Sequence, residues 1–162
     1  MQLLIVRHGI AVESGTAGIP DDERPLTPEG EKKFRQAARG IAQVVDKPYA
    51  ILSSPLPRAH RTAELLSEAF AGVTLTATPA LSSGSFEDLF AQLGDYPKKA
   101  LLAIVGHEPT LSSLLAKLLG AKRGGNFEFK KGGAALVELH GGLGDGGQLL
   151  FFLPPKVLRA IR

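Results

Sequence analysis

The chain opens with Met1-Gln2-Leu3-Leu4-Ile5-Val6-Arg7-His8-Gly9, an apolar run that stops abruptly at an arginine and a histidine. A short, continuous apolar run of this kind is typical of a strand buried in a parallel sheet. The end of such a strand brings the Arg7 guanidinium and the His8 imidazole to one point. Imidazole can act as a nucleophile, guanidinium can grip two oxygens of a phosphoryl group, and Gly9 permits a close backbone approach or a positive φ. By itself the tripeptide also fits an ordinary polar loop. The rest of the chain has to show whether it is a functional site.

Two later segments repeat this design. Residues 49–54 predict a strand that leads into a helix carrying Arg58, and residues 100–105 predict a strand that leads into a helix just after His107. Ligands of open α/β sheets bind beyond the carboxyl ends of the strands, where helix N-termini offer N–H groups to anions. We therefore expect Arg58 and His107 to join the opening arginine and histidine at one edge of the sheet.

Strands and helices alternate along the chain. Periodicity predicts strands at 2–6, 50–53, 73–77 and 101–105, and helices at 28–45, 57–70, 86–93 and 110–119. Thr27 is the expected N-cap of the first helix, with Pro28 at its first position. Residues 134–140 and 148–153 flank a glycine-rich stretch and predict an antiparallel hairpin at or near a sheet edge. We predict an α/β fold in a single domain spanning 1–162, with three layers, a mostly parallel sheet, helices on both faces and this C-terminal hairpin.

Composition limits the possible classes of protein. A chain of 162 residues is expected to form one domain that buries roughly 70% of its unfolded surface. The net charge is +3 and the pI about 9.3, but lysines and arginines are scattered among acids, so no nucleic-acid partner is predicted. The absence of cysteine excludes disulfides, thiolate metal sites and a cysteine nucleophile. No signal peptide and no run near the ~18 apolar residues of a membrane span are found, so we expect a soluble cytoplasmic protein without membrane partners.

Four blocks of the sequence resemble one known family. They are LLIVRHGIA at 3–11, RPLTPEG at 24–30, SSPLPRAHRTA at 53–63 and VGHEP at 105–109. In content, order and spacing they are similar to the motifs of the histidine phosphatase superfamily and, within it, of the short SixA-type phosphohistidine phosphatases. The resemblance covers nearly the whole chain. It implies the phosphoglycerate mutase-like fold and a phosphatase activity in which His8 is the nucleophile.

The four candidate catalytic residues suit phosphoryl transfer. His8 would attack phosphorus as a neutral imidazole and form a phosphohistidine intermediate, which water would hydrolyse. Arg7 and Arg58 would hold phosphoryl oxygens, and His107 would bind the group as an imidazolium and stabilise its charge. Two histidines beside two arginines repel a cation, so we predict no metal and no cofactor.

Other polar residues have two interpretations each. Gly9 and Ser53 are candidate substrate-binding residues, although the Ser53 hydroxyl could instead satisfy the backbone, which we favour slightly. Arg24 could reach a substrate anion, but we expect it to tie down the loop at 12–25. Glu108 is expected to cap the helix that follows it.

The substrate is suggested by a missing carboxylate. Larger members of the superfamily supply an acid after the third strand to protonate an alkoxide leaving group, whereas residues 79–85 of this chain contain none. A phosphohistidine ring nitrogen can be protonated near neutral pH without help. This favours a phosphorylated protein, such as a phosphotransfer domain carrying phosphohistidine, as the partner.

Two alternatives stay open. A broad-specificity small-molecule phosphomonoesterase on the same fold would be favoured if Glu13, Asp22 or Glu87 supplied an acid. A non-catalytic module that binds phosphorylated ligands is the third hypothesis, and it is disfavoured because a binder needs no nucleophile.

Overall fold

Six strands and five α-helices make up the described part of the chain, which is residues 1–141 and 145–161 of a computed structural model. The strands are β1 (Gln2–Arg7), β2 (Ala50–Ser53), β3 (Leu75–Ala77), β4 (Leu101–Gly106), β5 (Ala134–Leu139) and β6 (Gly147–Leu153). The helices are α1 (Pro28–Val44), α2 (Pro57–Ala69), α3 (Phe86–Gly94), α4 (Thr110–Leu118) and α5 (Pro155–Leu158). Short 3-10 turns lie at Asp21–Glu23, Pro79–Leu81 and Gly124–Asn126.

All six strands form one sheet in the order β3-β2-β4-β1-β5-β6. The pairs β2–β3, β2–β4 and β1–β4 are parallel, whereas β1–β5 and β5–β6 are antiparallel. This confirms the predicted α/β fold with a C-terminal antiparallel pair, of which β6 is the edge strand. Residues 142–144 of the predicted hairpin connection lie outside the described residues.

The two faces of the sheet are covered by different helices, which confirms the three layers. Successive side chains of a strand point to opposite faces, so Leu4 and Val6 of β1 pack with α1 and α2, while Leu3 and Ile5 pack with α3 and α4. All four side chains are fully buried. The apolar run that opens the chain is therefore a central strand with a core on both sides.

Most element boundaries agree with the sequence-based prediction. Thr27 caps α1 by accepting a hydrogen bond from the Gly30 N–H at 2.9 Å, and Pro28 is the first helical residue, as expected. The third strand was predicted from residue 73 but starts at 75. The Val73 N–H and C=O instead pair with the Ser67 hydroxyl at 2.7 and 2.9 Å, so the end of α2 takes the hydrogen bonds that would have extended the strand.

Within the described residues, no helix is long and apolar enough to cross a membrane.

Candidate active site

The two histidines meet because β1 and β4 are adjacent parallel strands. Arg7 is paired in register with Gly106, so His8 and His107 both follow directly after this pair. The His8 N–H donates to the Gly106 carbonyl at 3.1 Å. The centroids of the two imidazole rings are 5.1 Å apart, with the planes tilted by 52°. The carboxyl ends of two central strands thus present two imidazoles to the same space.

Arg58 reaches the same place from the first turn of α2. It is 6% exposed, and its positive charge acts on both His8 and His107. Thr62, one turn further along α2, accepts the Gly9 N–H at 3.0 Å and donates to the Arg58 carbonyl at 2.6 Å. This threonine therefore fastens the turn that carries His8 to the helix that carries Arg58.

His8 is held in the tautomer that a nucleophile requires. Its Nδ1 lies 2.7 Å from the Gly9 carbonyl oxygen. A carbonyl can only accept, so Nδ1 carries the proton and Nε2 keeps a free lone pair. Burial lowers the pKa of His8 from 6.5 to about 3, and the nearby charges of His107, Arg58 and Arg7 add to this against the opposing Gly9 hydrogen bond. His8 is therefore neutral at physiological pH with Nε2 unprotonated, which is the form in which an imidazole can act as a nucleophile.

His107 is also neutral in the unliganded site. Burial, followed by the charges of Arg58 and Arg7, lowers its pKa from 6.5 to about 4. The imidazolium expected with a bound phosphoryl group is therefore not the resting form. The Nε2 atom lies 2.8 Å from the Ser54 hydroxyl, whereas Nδ1 is buried and finds no hydrogen-bond partner among the described residues.

Arg7 is oriented by a carbonyl rather than by a carboxylate. One of its terminal nitrogens, Nη1, donates to the Phe129 carbonyl, while its Nε is buried without a partner among the described residues. The Phe129 N–H donates in turn to Glu108 at 2.8 Å. Glu108 also accepts the Ser112 N–H at 3.3 Å, so its carboxylate satisfies an N–H of the first turn of α4 and, in addition, braces the peptide that holds Arg7. The N-cap position itself is Pro109.

Gly9 does not adopt the positive φ that the sequence allowed. Its φ lies outside the left-handed region, and its N–H is occupied by Thr62 rather than free for a ligand. A Cβ at this position would lie 3.3 Å from Leu26 and 3.4 Å from Phe34. The glycine therefore packs closely against Leu26 and α1, and its carbonyl orients His8. Its assignment as a substrate contact stays a prediction.

The Ser53 hydroxyl is engaged by the backbone. Ser53 is fully buried, and its hydroxyl donates to the Ser54 carbonyl at 2.9 Å. Of its two interpretations the structure supports the backbone role, and the substrate contact stays a prediction. Ser54, which the sequence analysis missed, takes the place beside His107; the only signal was its position as the second serine of the 53–63 block.

The loop at 12–25 meets the site through Asp21, a second residue that was missed. The Asp21 carbonyl accepts from Arg58 at 2.8 Å, and its carboxylate lies 3.8 Å from the same guanidinium. Hydrogen bonds from Ser14 and Arg24 hold the pKa of this carboxyl below its usual range. Arg24 also donates to the Val12 carbonyl at 2.7 Å, which confirms that it ties down the loop.

The three proposed general acids lie on the surface. Glu13, Asp22 and Glu87 are all exposed, and Asp22 is the one whose charge acts on Arg58. Among the described residues, no cluster of three or more His, Cys, Asp or Glu side chains could hold a metal ion. This edge of the sheet brings together the neutral His8 imidazole, two guanidinium groups and a second imidazole.

Comparison with known proteins identifies the family. The sequence profile of the histidine phosphatase superfamily (branch 1) matches residues 3–98, which include Arg7, His8 and Arg58. The chain belongs to the histidine phosphatase superfamily and is a phosphatase that resembles the SixA type. It is 34% identical to an uncharacterised protein of Picosynechococcus sp. over 98% of this chain and 99% of that relative.

Solved structures agree with this assignment. The structure of the protein histidine phosphatase SixA complexed with tungstate has 26% identity and a TM-score of 0.82, covering 98% of this chain and 99% of that one. An alpha-ribazole phosphatase from Shigella flexneri has 19% identity and a TM-score of 0.77, covering 96% and 97%. The second similarity is one of fold alone.

Proposed function

We propose that this protein is a phosphohistidine phosphatase that acts on a phosphorylated protein through a covalent phosphate on His8, without a metal or cofactor. The observation that carries the proposal is the neutral His8 ring, whose Nδ1 is bonded to the Gly9 carbonyl and whose Nε2 is free. Its surroundings, Arg7, Arg58 and His107, suit a phosphoryl dianion. The similarity to a SixA protein histidine phosphatase solved with tungstate, an oxyanion, supports the same substrate class.

The first chemical step moves the phosphoryl group between two imidazoles. The Nε2 lone pair of His8 attacks phosphorus while the P–N bond of a ring-protonated phosphohistidine breaks, and the substrate histidine departs as neutral imidazole. Arg7 and Arg58 hold the equatorial oxygens, and His107 takes up a proton as the dianion binds because the nearby negative charge favours its charged form. In phosphorylated His8 the Nδ1–H still donates its hydrogen bond to the Gly9 carbonyl oxygen.

Water completes the reaction. Phosphorylated His8 with a protonated Nδ1 is an imidazolium, so its ring leaves phosphorus as neutral imidazole, which is a good leaving group. Water attacks phosphorus, the Nε2–P bond breaks, and phosphate leaves as the monoanion while His8 returns to its neutral form. Two displacements of low barrier thus replace a single difficult one.

The leaving-group argument favours phosphohistidine over alkyl phosphates. The segment after β3 contains the turn Pro79–Leu81 and no carboxylate up to residue 85. An alkoxide leaving group needs a proton donor, which is typically worth about 10²–10⁴-fold in rate. Phosphoramidates and aryl phosphates should therefore react well, and sugar phosphates slowly.

A small-molecule phosphomonoesterase is the second candidate because one carboxylate does approach the site. Asp21 lies 3.8 Å from the Arg58 guanidinium. Its lowered pKa keeps it ionised at neutral pH, so it is a poor proton donor. A binding module without catalysis would gain nothing from a neutral, oriented His8, and we rank it third. A cytoplasmic location stays a prediction.

The decisive experiment compares turnover of a phosphohistidine protein with that of a panel of phosphate monoesters, with and without chelator. We expect preference for phosphohistidine, full activity with chelator, and a phosphoenzyme that is lost on acid quenching and retained on alkaline quenching. The His8→Ala variant is the control and should form no phosphoenzyme. A stable phosphoenzyme in that variant would exclude His8, and equal turnover of sugar phosphates would favour the phosphomonoesterase.

A further inference from the structure

We infer that Glu108 is a positioning residue for Arg7, because its carboxylate fixes the backbone of Phe129, whose carbonyl holds the Arg7 guanidinium beside His8. The use of Arg7 on a phosphoryl group rests on the proposed function. The contacts that place the guanidinium belong to the free protein, so they can be tested separately.

The direction of the Arg7 side chain depends on one carbonyl. The main chain of Arg7 is fixed by its N–H, which donates to the Gly133 carbonyl at 3.1 Å, and by its carbonyl, which accepts the Gly132 N–H at 3.1 Å. Among the described residues the side chain makes a single hydrogen bond, from Nη1 to the Phe129 carbonyl. Of the other two nitrogens, Nε is buried and Nη2 is not, so Nη2 is the donor open to a ligand.

Phe129 is held on both sides of its Cα. Its ring is fully buried and meets the Phe152 ring edge to face, with centroids 4.8 Å apart. Burial of the ring fixes the place of the residue but not the direction of its peptide groups, which the two soft backbone dihedrals set. The N–H donates to Oε1 of Glu108 at 2.8 Å, and the next carbonyl, of Lys130, accepts the Gly133 N–H at 2.7 Å. The Phe129 carbonyl therefore lies between two fixed points.

Glu108 connects this segment to the turn that carries His107. Its Oε2 accepts the Ser112 N–H at 3.3 Å and lies 2.6 Å from the Ser112 hydroxyl, so the carboxylate is fixed relative to the start of α4. A carbonyl, and not the carboxylate itself, faces the Arg7 guanidinium. Arg7 is thereby oriented without an ion pair that an incoming dianion would have to break.

Two substitutions separate the reach of the Glu108 side chain from its charge. Glu108→Gln removes the charge but keeps an oxygen that can accept the Phe129 N–H, while its NH₂ can donate to the Ser112 hydroxyl. Glu108→Asp keeps the charge but is one methylene shorter and no longer spans the contact to Phe129. The control for helix stability is Asp88→Ala, because the Asp88 carboxylate accepts the Ser85 N–H at 3.1 Å at the start of α3.

The test measures kcat/KM with an aryl phosphate and the mobility of the Arg7 side chain in the free protein. We expect Glu108→Asp to lower kcat/KM about 10–100-fold, because a displaced binding group costs this much, while Glu108→Gln and Asp88→Ala stay within about threefold of the wild type. In an Arg7→Ala background Glu108→Asp should cause no further loss, because the two residues act through the same contact.

Mobility is measured by ¹⁵N relaxation of the Arg7 Nε–H signal, which is assigned by its loss in Arg7→Lys. We expect a rigid Arg7 side chain in the wild type and in Glu108→Gln, and a mobile one in Glu108→Asp. This readout needs no substrate, and a role of Glu108 in helix stability alone would not change it.

Three outcomes would overturn the inference. One is a wild-type Arg7 side chain as mobile as that of the exposed Arg39, which needs no Glu108 variant. Another is equal kcat/KM of Glu108→Gln and Glu108→Asp, and the third is an undiminished loss from Glu108→Asp in the Arg7→Ala background. If Arg7 is rigid in the wild type and loosened in Glu108→Asp but His8 never becomes phosphorylated, the proposed function fails while the placement of Arg7 by Glu108 stands.

Discussion

Acidification should destabilise this protein through His8, by an amount that can be worked out from its environment. The pKa of His8 is about 3 in the folded protein and 6.5 in the absence of the fold. Between these values the unfolded chain binds a proton at His8 and the folded chain does not, so the free energy of unfolding falls as pH falls below 6.5. At pH 5 nearly all unfolded molecules are protonated at this ring and few folded ones are, which lowers stability by about 2 kcal/mol relative to pH 8.

This magnitude is insensitive to the folded pKa, because any value of about 4 or below keeps the folded ring neutral at pH 5. The perturbation is His8→Asn, whose side-chain N–H can still reach the Gly9 carbonyl but has no proton to gain. Urea unfolding in phosphate-free buffer, repeated from pH 8 to pH 5, measures the difference in the free energy of unfolding between the variant and the wild type at each pH. We expect this difference to shift by about 2 kcal/mol in favour of the variant.

The control is His140→Gln, which removes an exposed histidine instead of a buried one. Parallel stability curves for wild type and His8→Asn over this pH range would refute the reasoning. In that case His8 would be protonated in the folded protein, and it could not be the neutral nucleophile.

Three further predictions concern the site and the packing. Inorganic phosphate should bind with uptake of a proton by His107, whose resting pKa is about 4, so calorimetry in two buffers of different ionisation enthalpy should show an uptake that His107→Gln abolishes. Arg58→Ala should lower kcat by roughly 10²–10³-fold, and an unchanged kcat would remove Arg58 from the site. Gly40→Ala should lower stability by about 1–3 kcal/mol, because a Cβ there would lie 1.9 Å from the Leu158 carbonyl oxygen. Gly94→Ala, with nothing within 4 Å, should instead be neutral or stabilising in thermal unfolding.

The fold followed from local patterns where the apolar run was long and unambiguous. The opening strand and β4 are apolar on both faces, which is the signature of central strands in a parallel sheet. Thr27 and Pro28 marked the start of α1 because capping is a property of a few consecutive residues. The start of β3 was missed because Ser67, on another element, takes the hydrogen bonds of Val73.

Sequence alone determined that Arg7, His8, Arg58 and His107 would gather at one edge, because the carboxyl ends of parallel strands share an edge whatever the details of packing. Only the tertiary structure decided which partners complete them. The Ser54–His107 contact spans 53 residues and the Asp21–Arg58 contact spans 37, and both depend on the register of neighbouring strands and the path of a loop. A one-residue shift in register would turn every side chain of a strand to the other face, which is why these partners could not be inferred from the sequence.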